Sequence, residues 1–305
     1  MKRNPRAILA LLAVTVIWGW TFVWMKQSLN AAAAVLGHPG GPAVVCLYVG
    51  ARFALAAVVL AFWPRARAGL DRGAWRGGFI LGALLAGGFL LQMLGLEGVT
   101  PPVSAFLTSL YVVFAAVLTV WLHRARPCVS LLIGVLLATF GAGFIEGPPH
   151  LTFGVAEWLT VGCAVVFAVH ILATDRVTKA HPPLAVTLAM FVWTAVLSAL
   201  GFAVAFGFSR APQIAPVFSL LRVPAFVVPL ILASTLATVV ALTLMNVFQR
   251  ELDPVRAAIL YALEPIWTTL VAAAIGFGLP HFWLWIGGGA LLAGNLIAEL
   301  GATAD

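Results

Sequence analysis

Two ionisable residues lie deep within long apolar runs of this sequence, where a charged side chain is costly and is therefore a candidate for function. Arg52 follows Pro42 by ten positions, and Glu264 follows Pro254 by ten. If each run is a helix that starts near its proline, both side chains lie about 15 Å into a membrane core of roughly 30 Å. We expect that an arginine and a glutamate at this depth can neutralise each other.

Both residues have a functional and a structural interpretation. Glu264 is either a proton-linked or substrate-facing carboxylate, or a structural glutamate that hydrogen-bonds a neighbouring helix. Arg52 either contacts substrate or Glu264, or anchors its own helix. Pro265 follows Glu264 and removes the N–H that would bond the carbonyl of Tyr261. Broken backbone at this depth is tolerated where it lines a cavity or is buried in protein.

Other polar and aromatic candidates lie in the remaining apolar runs. Gln92 and Asn246 either contact substrate or form hydrogen bonds between helices. Trp18 either stacks on a flat substrate or packs and anchors at the membrane interface. His170 is interpreted either as a core histidine or as a proton carrier, with the core histidine preferred, and Asn295 is interpreted as a packing residue. The predicted substrate and proton pathway consists of Trp18, Arg52, Gln92, Tyr111, Asn246 and Glu264.

A long segment of the chain occurs twice. Residues 100–147 return without a gap, 153 positions later, as residues 253–300. The identities fall largely on prolines and glycines, whose backbone roles are hard to substitute. They are Pro101 and Pro254, Ala105 and Ala258, Leu107 and Leu260, Leu110 and Leu263, Pro127 and Pro280, Gly134 and Gly287, and Gly141 and Gly294. The same register places Tyr111 opposite Glu264 as a polar pair. The chain therefore divides into two related halves, residues 1–150 and 151–305.

The composition is that of a membrane protein. Of 305 residues, 63% are apolar and 9% are charged, and the mean hydropathy is +1.08. Soluble domains are about one quarter charged. Ten runs are long and apolar enough to span a membrane. They lie at about 7–27, 42–63, 75–96, 101–122, 127–146, 153–174, 182–207, 224–248, 254–275 and 281–300. The first run exceeds the apolar core of a signal sequence and is interpreted as a retained helix. The predicted fold is an all-α integral membrane protein with ten transmembrane helices.

The basic residues predict the orientation in the membrane. With a cytoplasmic N-terminus, thirteen of the 17 Lys and Arg residues lie on the cytoplasmic side, and only Lys26, Arg210 and Arg222 lie outside. Both termini are then cytoplasmic, in the cell's inner (cytoplasmic) membrane. Because five is an odd number, the second five-helix half enters the membrane in the opposite direction, which gives an inverted repeat. The net charge of +7 is a topology signal rather than a nucleic-acid-binding surface.

The sequence lacks the motifs of several other chemistries. It contains no G-x-x-x-x-G-K-[ST], H-E-x-x-H or G-x-S-x-G, so ATP-driven pumping and those hydrolytic mechanisms have no motif. Cys46, Cys128 and Cys163 show no CxxC spacing and are interpreted as core residues. We expect no enzyme activity, no cofactor and no metal. The expected partners are a small-molecule substrate, membrane lipids, and protons or a counter-substrate, without nucleic acid.

Taken in order, the motifs resemble those of the drug/metabolite transporter superfamily, specifically its ten-helix EamA-like exporters. In helix 1, Trp18-Gly19, Thr21-Phe22 and Lys26 resemble W-G-x-x-F-x-x-x-K, and in helix 2, Arg52 to Ala56 resemble R-F-x-x-A. Ala105 to Thr108 with Leu110 to Val112 resemble helix 4 of one bacterial subgroup, and Leu263-Glu264-Pro265 resemble the L-E-P of helix 9. Gly134 to Gly141 and Gly287 to Gly294 resemble the G-x-x-L-x-x-x-G of helices 5 and 10. The resemblance implies export of small metabolites such as amino acids by alternating access, without ATP and by exchange or proton coupling.

This sequence departs from the family pattern in one place. The family has a glycine-glutamate pair before helices 5 and 10, where this chain reads His123 to Arg126 and Gly276 to Leu279, without an acid. Two other functions stay open at this point. A membrane-embedded enzyme acting on lipids or lipid-linked sugars would need a cluster of His, Asp or Glu at one membrane face, whereas the ten carboxylates here are scattered. A channel-like facilitator would lack saturable, counterflow-stimulated uptake.

Overall fold

The computed structural model describes residues 5–122, 124, 129–144, 153–207, 214–252, 260–277 and 281–302. These residues form helices and turns, with no strand among them. The helices are α1 (Pro5–Leu36), α2 (Gly41–Ala61), α3 (Pro64–Ala68), α4 (Arg72–Gly98), α5 (Pro101–Thr108), α6 (Tyr111–Leu122), α7 (Val129–Gly143), α8 (Val155–Ala180), α9 (Pro183–Gly207), α10 (Ile214–Ser219), α11 (Pro224–Leu232), α12 (Ala241–Phe248), α13 (Glu264–Ala274) and α14 (Phe282–Ala302). A π-helical segment (Ala233–Val240) joins α11 to α12, and short 3-10 turns span Leu220–Arg222 and Gln249–Glu251.

Seven helices in the described part of the chain are long and apolar enough to cross a membrane. They are Pro5–Leu36, Gly41–Ala61, Arg72–Gly98, Pro101–Leu122, Val155–Ala180, Pro183–Gly207 and Pro224–Glu251. Two shorter apolar helices span Val129–Ala142 and Phe282–Ile297. An all-helical integral membrane protein is therefore confirmed, whereas the number of ten crossings stays a prediction.

Large apolar side chains cover much of the outer surface. Phe62, Trp121 and Leu136 are each more than 70% exposed. A soluble monomer rarely exposes apolar side chains in such numbers, whereas lipid tails solvate them. The helices are therefore arranged to bury their polar residues and to present apolar ones to the bilayer.

Some predicted features lie outside the described residues. These are the boundary between residues 150 and 151, the helix-start prolines Pro127, Pro254 and Pro280, the thiol Cys128, and most of the two segments that lack the family's acids. Cys46 and Cys163 are buried free thiols, as expected for core residues.

Contacts between the two halves come in matched sets. The third long helix, α4, packs along α8, and the segment from α11 to α12 packs along α1 in the same way. The pair α5 and α6 packs on α8, and α13 packs on α1. Each of these contacts joins helices that exchange places when the first and second halves are swapped. Such reciprocity is typical of elements related by a twofold rotation.

The packing of α7 against α14 shows the same reciprocity at single residues. A Cβ added at Gly141 would overlap the backbone of Gly287 and Leu291, and one added at Gly294 would overlap the backbone of Gly134 and Ala138. Small residues let membrane helices approach this closely. The repeated glycines therefore form a close-packing face between α7 and α14.

Candidate functional site

Two helices are interrupted at equivalent positions of the repeat. In the first half, helix α5 ends at Thr108, and α6 begins at Tyr111 after a two-residue turn. In the second half, helical residues 260–261 are followed by a two-residue turn before α13 begins at Glu264. Tight backbone hydrogen bonds close both turns, at 3.2 Å between Leu110 N and Leu107 O and at 3.1 Å between residues 263 and 260. Interrupted helices of this kind form the binding sites of many transporters.

A proline accounts for only one of these breaks. Pro265 follows Glu264, as the sequence analysis noted, but the equivalent residue of the first half is Val112, whose N–H still donates to the carbonyl of Ser109 at 3.1 Å. The first break is held by Asn295, whose Nδ2 donates to the carbonyl and the hydroxyl oxygen of Ser109 at 3.0 and 3.1 Å. Asn295 therefore does more than fill space, because it supplies the donor that the broken backbone needs.

The first residues after the two breaks meet between the halves. The hydroxyl of Tyr111 donates to Oε2 of Glu264 at 3.4 Å, and both side chains are buried. The polar pair expected from the repeat register is present. Because Glu264 is the first residue of α13, the positive end of the helix dipole also favours the carboxylate as an anion.

A cavity of about 70 Å³ adjoins this pair. Its walls come from both halves of the chain. The lining residues are Trp18, Thr21, Phe22, Leu85, Phe89, Gln92, Thr108, Tyr111, Phe167, His170, Ile171, Leu242, Met245 and Glu264. A water molecule needs roughly 10–15 Å³ of such space, so the cavity has room for a few waters. Ligand pockets for drug-sized molecules are several times larger, at about 300–1,000 Å³.

Several polar atoms in the cavity wall have no hydrogen-bond partner among the described residues. They are Oγ1 of Thr21, Oε1 of Gln92 and Nε2 of His170. The other end of the Gln92 amide donates weakly to Thr108 Oγ1, at 3.4 Å. Buried polar groups without a protein partner are rare, and they mark places where a ligand or water can bind.

Trp18 is positioned by a close approach of helix α1 to α13. Its Nε1 donates to the carbonyl of Ala237 at 3.2 Å, and its ring lies 5.7 Å from that of Tyr261. The next residue is Gly19, where an added Cβ would stand 2.6 Å from the Cβ of Trp267. The glycine therefore lets α1 lie against the start of α13 and sets the tryptophan beside the cavity.

Arg52 is buried but does not line the cavity. Its Nε donates to Thr238 Oγ1 at 2.6 Å, and its guanidinium carbon lies 4.5 Å from the ring centroid of Phe89, which does line the cavity. It makes no contact with Glu264, so the expected neutralisation of one by the other is wrong for this structure. The reason is that a hydroxyl of the π-helical segment and an aromatic face hold the guanidinium instead.

The π-helical segment supplies two of the groups that hold the site. Within it, Thr238 Oγ1 donates to the carbonyl of Ala233, five residues earlier, while accepting from Arg52. The carbonyl of Ala237 accepts from Trp18. Wide helical turns of this kind are frequent at functional sites because they redirect carbonyl groups.

The remaining candidates divide between the cavity wall and the packing around it. Gln92 lines the cavity, whereas Asn246 is fully buried beside it and donates to Thr187 Oγ1 at 2.7 Å between helices. His170 lines the cavity, although the sequence analysis treated it as a core histidine. A polar ring within an apolar run is the feature of the sequence that could have indicated a place in the cavity wall. Thr108 also stands in the wall and had been noted only as part of a motif.

Lys26, the last residue of the first motif, has a structural role. Its Nζ donates to the carbonyls of Leu96, Glu97 and Val99 at 2.7, 3.1 and 3.0 Å. Leu96 and Glu97 lie in the last turn of α4, where carbonyls have no partner within the helix, and Val99 directly follows that helix. The lysine therefore ties α1 to the end of α4.

Comparison with known proteins points to a transporter. Residues 5–146, slightly less than half of the chain, match the EamA-like transporter family. A relative named as an uncharacterized transporter of Archaeoglobus fulgidus is 26% identical over 269 residues, which cover 88% of this chain and 78% of the relative. A crystal structure of 20% identity superposes with a TM-score of 0.62 over 98% of both chains, and this likeness shows the fold alone.

These matches favour a transporter over the membrane-embedded enzyme that the sequence left open. This EamA-like protein is a multi-pass membrane transporter with a small-molecule substrate, rather than a membrane-embedded enzyme. The described residues contain no group of three or more His, Cys, Asp or Glu side chains arranged to hold a metal ion.

Proposed function

We propose that this EamA-like protein is a secondary transporter that exports small organic metabolites, such as amino acids, by alternating access. Its ten transmembrane helices form two inverted five-helix halves, residues 1–150 and 151–305, which rock around the cavity at Glu264. Both termini lie in the cytoplasm at the inner membrane. Protons or a counter-substrate drive the cycle.

The observation that carries this proposal is the pair formed by Tyr111 and Glu264. Two interrupted helices, one from each half, bring these residues together at 3.4 Å in the wall of a buried cavity. Transporters with repeated halves bind substrate and coupling ions at such interrupted helices, where the halves meet. A buried carboxylate at this position can bind a proton in one step of the cycle and a group of the substrate in another.

The matched contacts between the halves support an inverted arrangement. Reciprocal packing, seen at Gly141 and Gly294, is what a twofold relation produces. If the twofold axis lies in the plane of the membrane, a motion that opens the cavity to one side has an equivalent that opens it to the other. One cavity then serves both sides.

The size of the cavity supports a carrier over an open pore. About 70 Å³ admits water but not an organic metabolite, which needs several times that volume. The helices must therefore move apart for substrate to enter. We assign Trp18, Gln92, Tyr111 and Glu264 to the cavity wall. Arg52 and Asn246 join the pathway only when the helices around them separate.

The proposal is tested with purified protein in sealed vesicles. Metabolites that accumulate in cells lacking the protein are offered as labelled substrates, and uptake is measured with and without excess unlabelled substrate inside. A carrier gives saturable uptake that the internal substrate stimulates, and Glu264→Gln abolishes it. The matched control is Glu157→Gln, which changes a carboxylate in the first turn of α8, outside the cavity. Unsaturable uptake without stimulation would establish a channel-like facilitator instead.

A further inference from the structure

The geometry points to an organic cation as the ligand of this cavity: a protonated amine with an apolar or aromatic body and a single positive charge. This inference deepens the proposed function and rests on it, because it takes the cavity at Glu264 as the substrate site. The charge of the wall, its aromatic surface and its unpartnered polar atoms all favour this class of ligand.

In the part of the chain that the structure describes, no cationic side chain is recorded beside the carboxylate of Glu264. Among the described residues that line the cavity there is no Lys or Arg, and the other ionisable ones are Tyr111 and His170. Tyr111 already donates its hydroxyl to the carboxylate. The start of α13 favours the anionic form of the carboxylate, whereas its burial penalises an unpaired charge. A buried anion needs a counter-charge, and a ligand can supply it.

Aromatic rings form a large share of the remaining wall. They are Trp18, Phe22, Phe89, Tyr111 and Phe167. The faces of such rings carry partial negative charge, so they attract cations and do not attract anions. Phe89 already shows this preference, because the guanidinium of Arg52 stands 4.5 Å from its ring centroid. Arg52 would repel a second positive charge near this ring, which favours a ligand with one charge over a dication.

The unpartnered polar atoms favour an ammonium group over a metal ion. Hard metal ions take several oxygen ligands, often six or more, whereas this wall offers one carboxylate and a few neutral oxygens among aromatic rings. Oε1 of Gln92 accepts hydrogen bonds, and Thr21 Oγ1 and His170 Nε2 can also accept them. A protonated amine carries N–H donors for these acceptors and an organic body for the rings. A proton on Glu264 is the competing occupant.

The ligand class is tested by binding to the purified full-length protein, measured by isothermal titration calorimetry. Three probes of similar shape are compared: 2-phenylethylammonium as the cation, 2-phenylethanol as the neutral compound and 3-phenylpropionate as the anion. We expect the cation to bind at least about tenfold more tightly than the other two. Equal or tighter binding of the neutral or anionic probe overturns the proposal.

Two sets of variants assign the preference to the cavity. Glu264→Gln removes the preference for the cation, whereas Glu264→Asp keeps part of it. Phe167→Leu weakens binding of the cation several-fold, whereas Phe202→Leu, which changes a ring outside the cavity, leaves it unchanged. A preference that survives in Glu264→Gln contradicts the assignment. If that variant does not fold, the comparison of the three probes on the unmodified protein decides alone.

The outcomes separate this inference from the proposed function. If the protein shows Glu264-dependent counterflow of a metabolite but no preference for cations, the proposed function holds and the ligand class inferred here is wrong. Binding of the cation without counterflow of any substrate overturns the transport mechanism, whatever the cavity binds.

Discussion

The hydroxyl of Tyr111 lies 3.4 Å from a carboxylate oxygen of Glu264, although the two residues are 153 positions apart in the chain. Each residue is the first one after an interruption in a helix, and the two interruptions occupy the same place in the repeat. The contact therefore joins the two halves at the point where each is least regular.

Replacing Glu264 with Gln removes the group that can exchange a proton while keeping nearly the same shape. We expect a folded protein whose transport is lost or no longer depends on pH. The measurement is the initial rate of transport in vesicles across a range of pH values, with Glu157→Gln as the control. Transport by Glu264→Gln at the unmodified rate, with the same pH dependence, would rule out a role for this carboxylate.

Replacing Tyr111 with Phe removes only the hydroxyl that donates to Glu264. A hydrogen bond to a charged group contributes about 1.5–3 kcal/mol, but this one is long, so we expect a loss nearer to fivefold in transport rate. Tyr48→Phe is the matched control, because Tyr48 is equally buried and does not line the cavity. Equal rates for the two variants would show that the Tyr111 hydroxyl does not act on the carboxylate.

Replacing Thr238 with Val removes the oxygen that accepts from Nε of Arg52. The variant leaves a buried donor without a partner, which costs about 1–3 kcal/mol of stability. The measurement is the midpoint of thermal unfolding in detergent, followed by tryptophan fluorescence. Thr235→Val is the control, since Thr235 lies in the same π-helical segment and bonds only its own helix. Matching midpoints for both variants would show that Arg52 does not depend on this contact.

Replacing Gly294 with Ala places a methyl group against the backbone of α7. Overpacking of this kind costs about 1–3 kcal/mol, and the reciprocal change Gly141→Ala is expected to cost a similar amount. Gly289→Ala is the control, because nothing lies within 4 Å of its added Cβ. Alanine is also the better helix former, so the control is expected to unfold at the same or a higher temperature. An equal effect at Gly289 and Gly294 would contradict the close packing.

Much of this architecture can be predicted from the sequence because it follows from local and repeated patterns. Apolar runs give the helices, since each must satisfy its own backbone within lipid. The register of the repeat predicts the contact between Tyr111 and Glu264, because the two residues occupy equivalent positions in the repeated segment. The interruption at Glu264 follows from the proline beside it.

The remaining features depend on contacts between distant parts of the chain. The break at Ser109 is held by Asn295, 186 residues away, and no local pattern marks it. The partner of Arg52 is Thr238 rather than a carboxylate, because the π-helical turn brings a hydroxyl to it first. His170 resembles a core residue in the sequence, and only the packing of α8 shows that it faces the cavity.

If the cavity at Glu264 opens in turn to the two sides of the membrane, a cysteine on its wall must be reachable from each side. The most direct measurement places Thr21→Cys in a chain whose Cys46, Cys128 and Cys163 are replaced by Ser, and labels it with a membrane-impermeant maleimide in sealed vesicles of either orientation. We predict labelling from both sides in protein that still transports. Labelling from one side only, or from neither, in a transporting protein would contradict alternating access through this cavity.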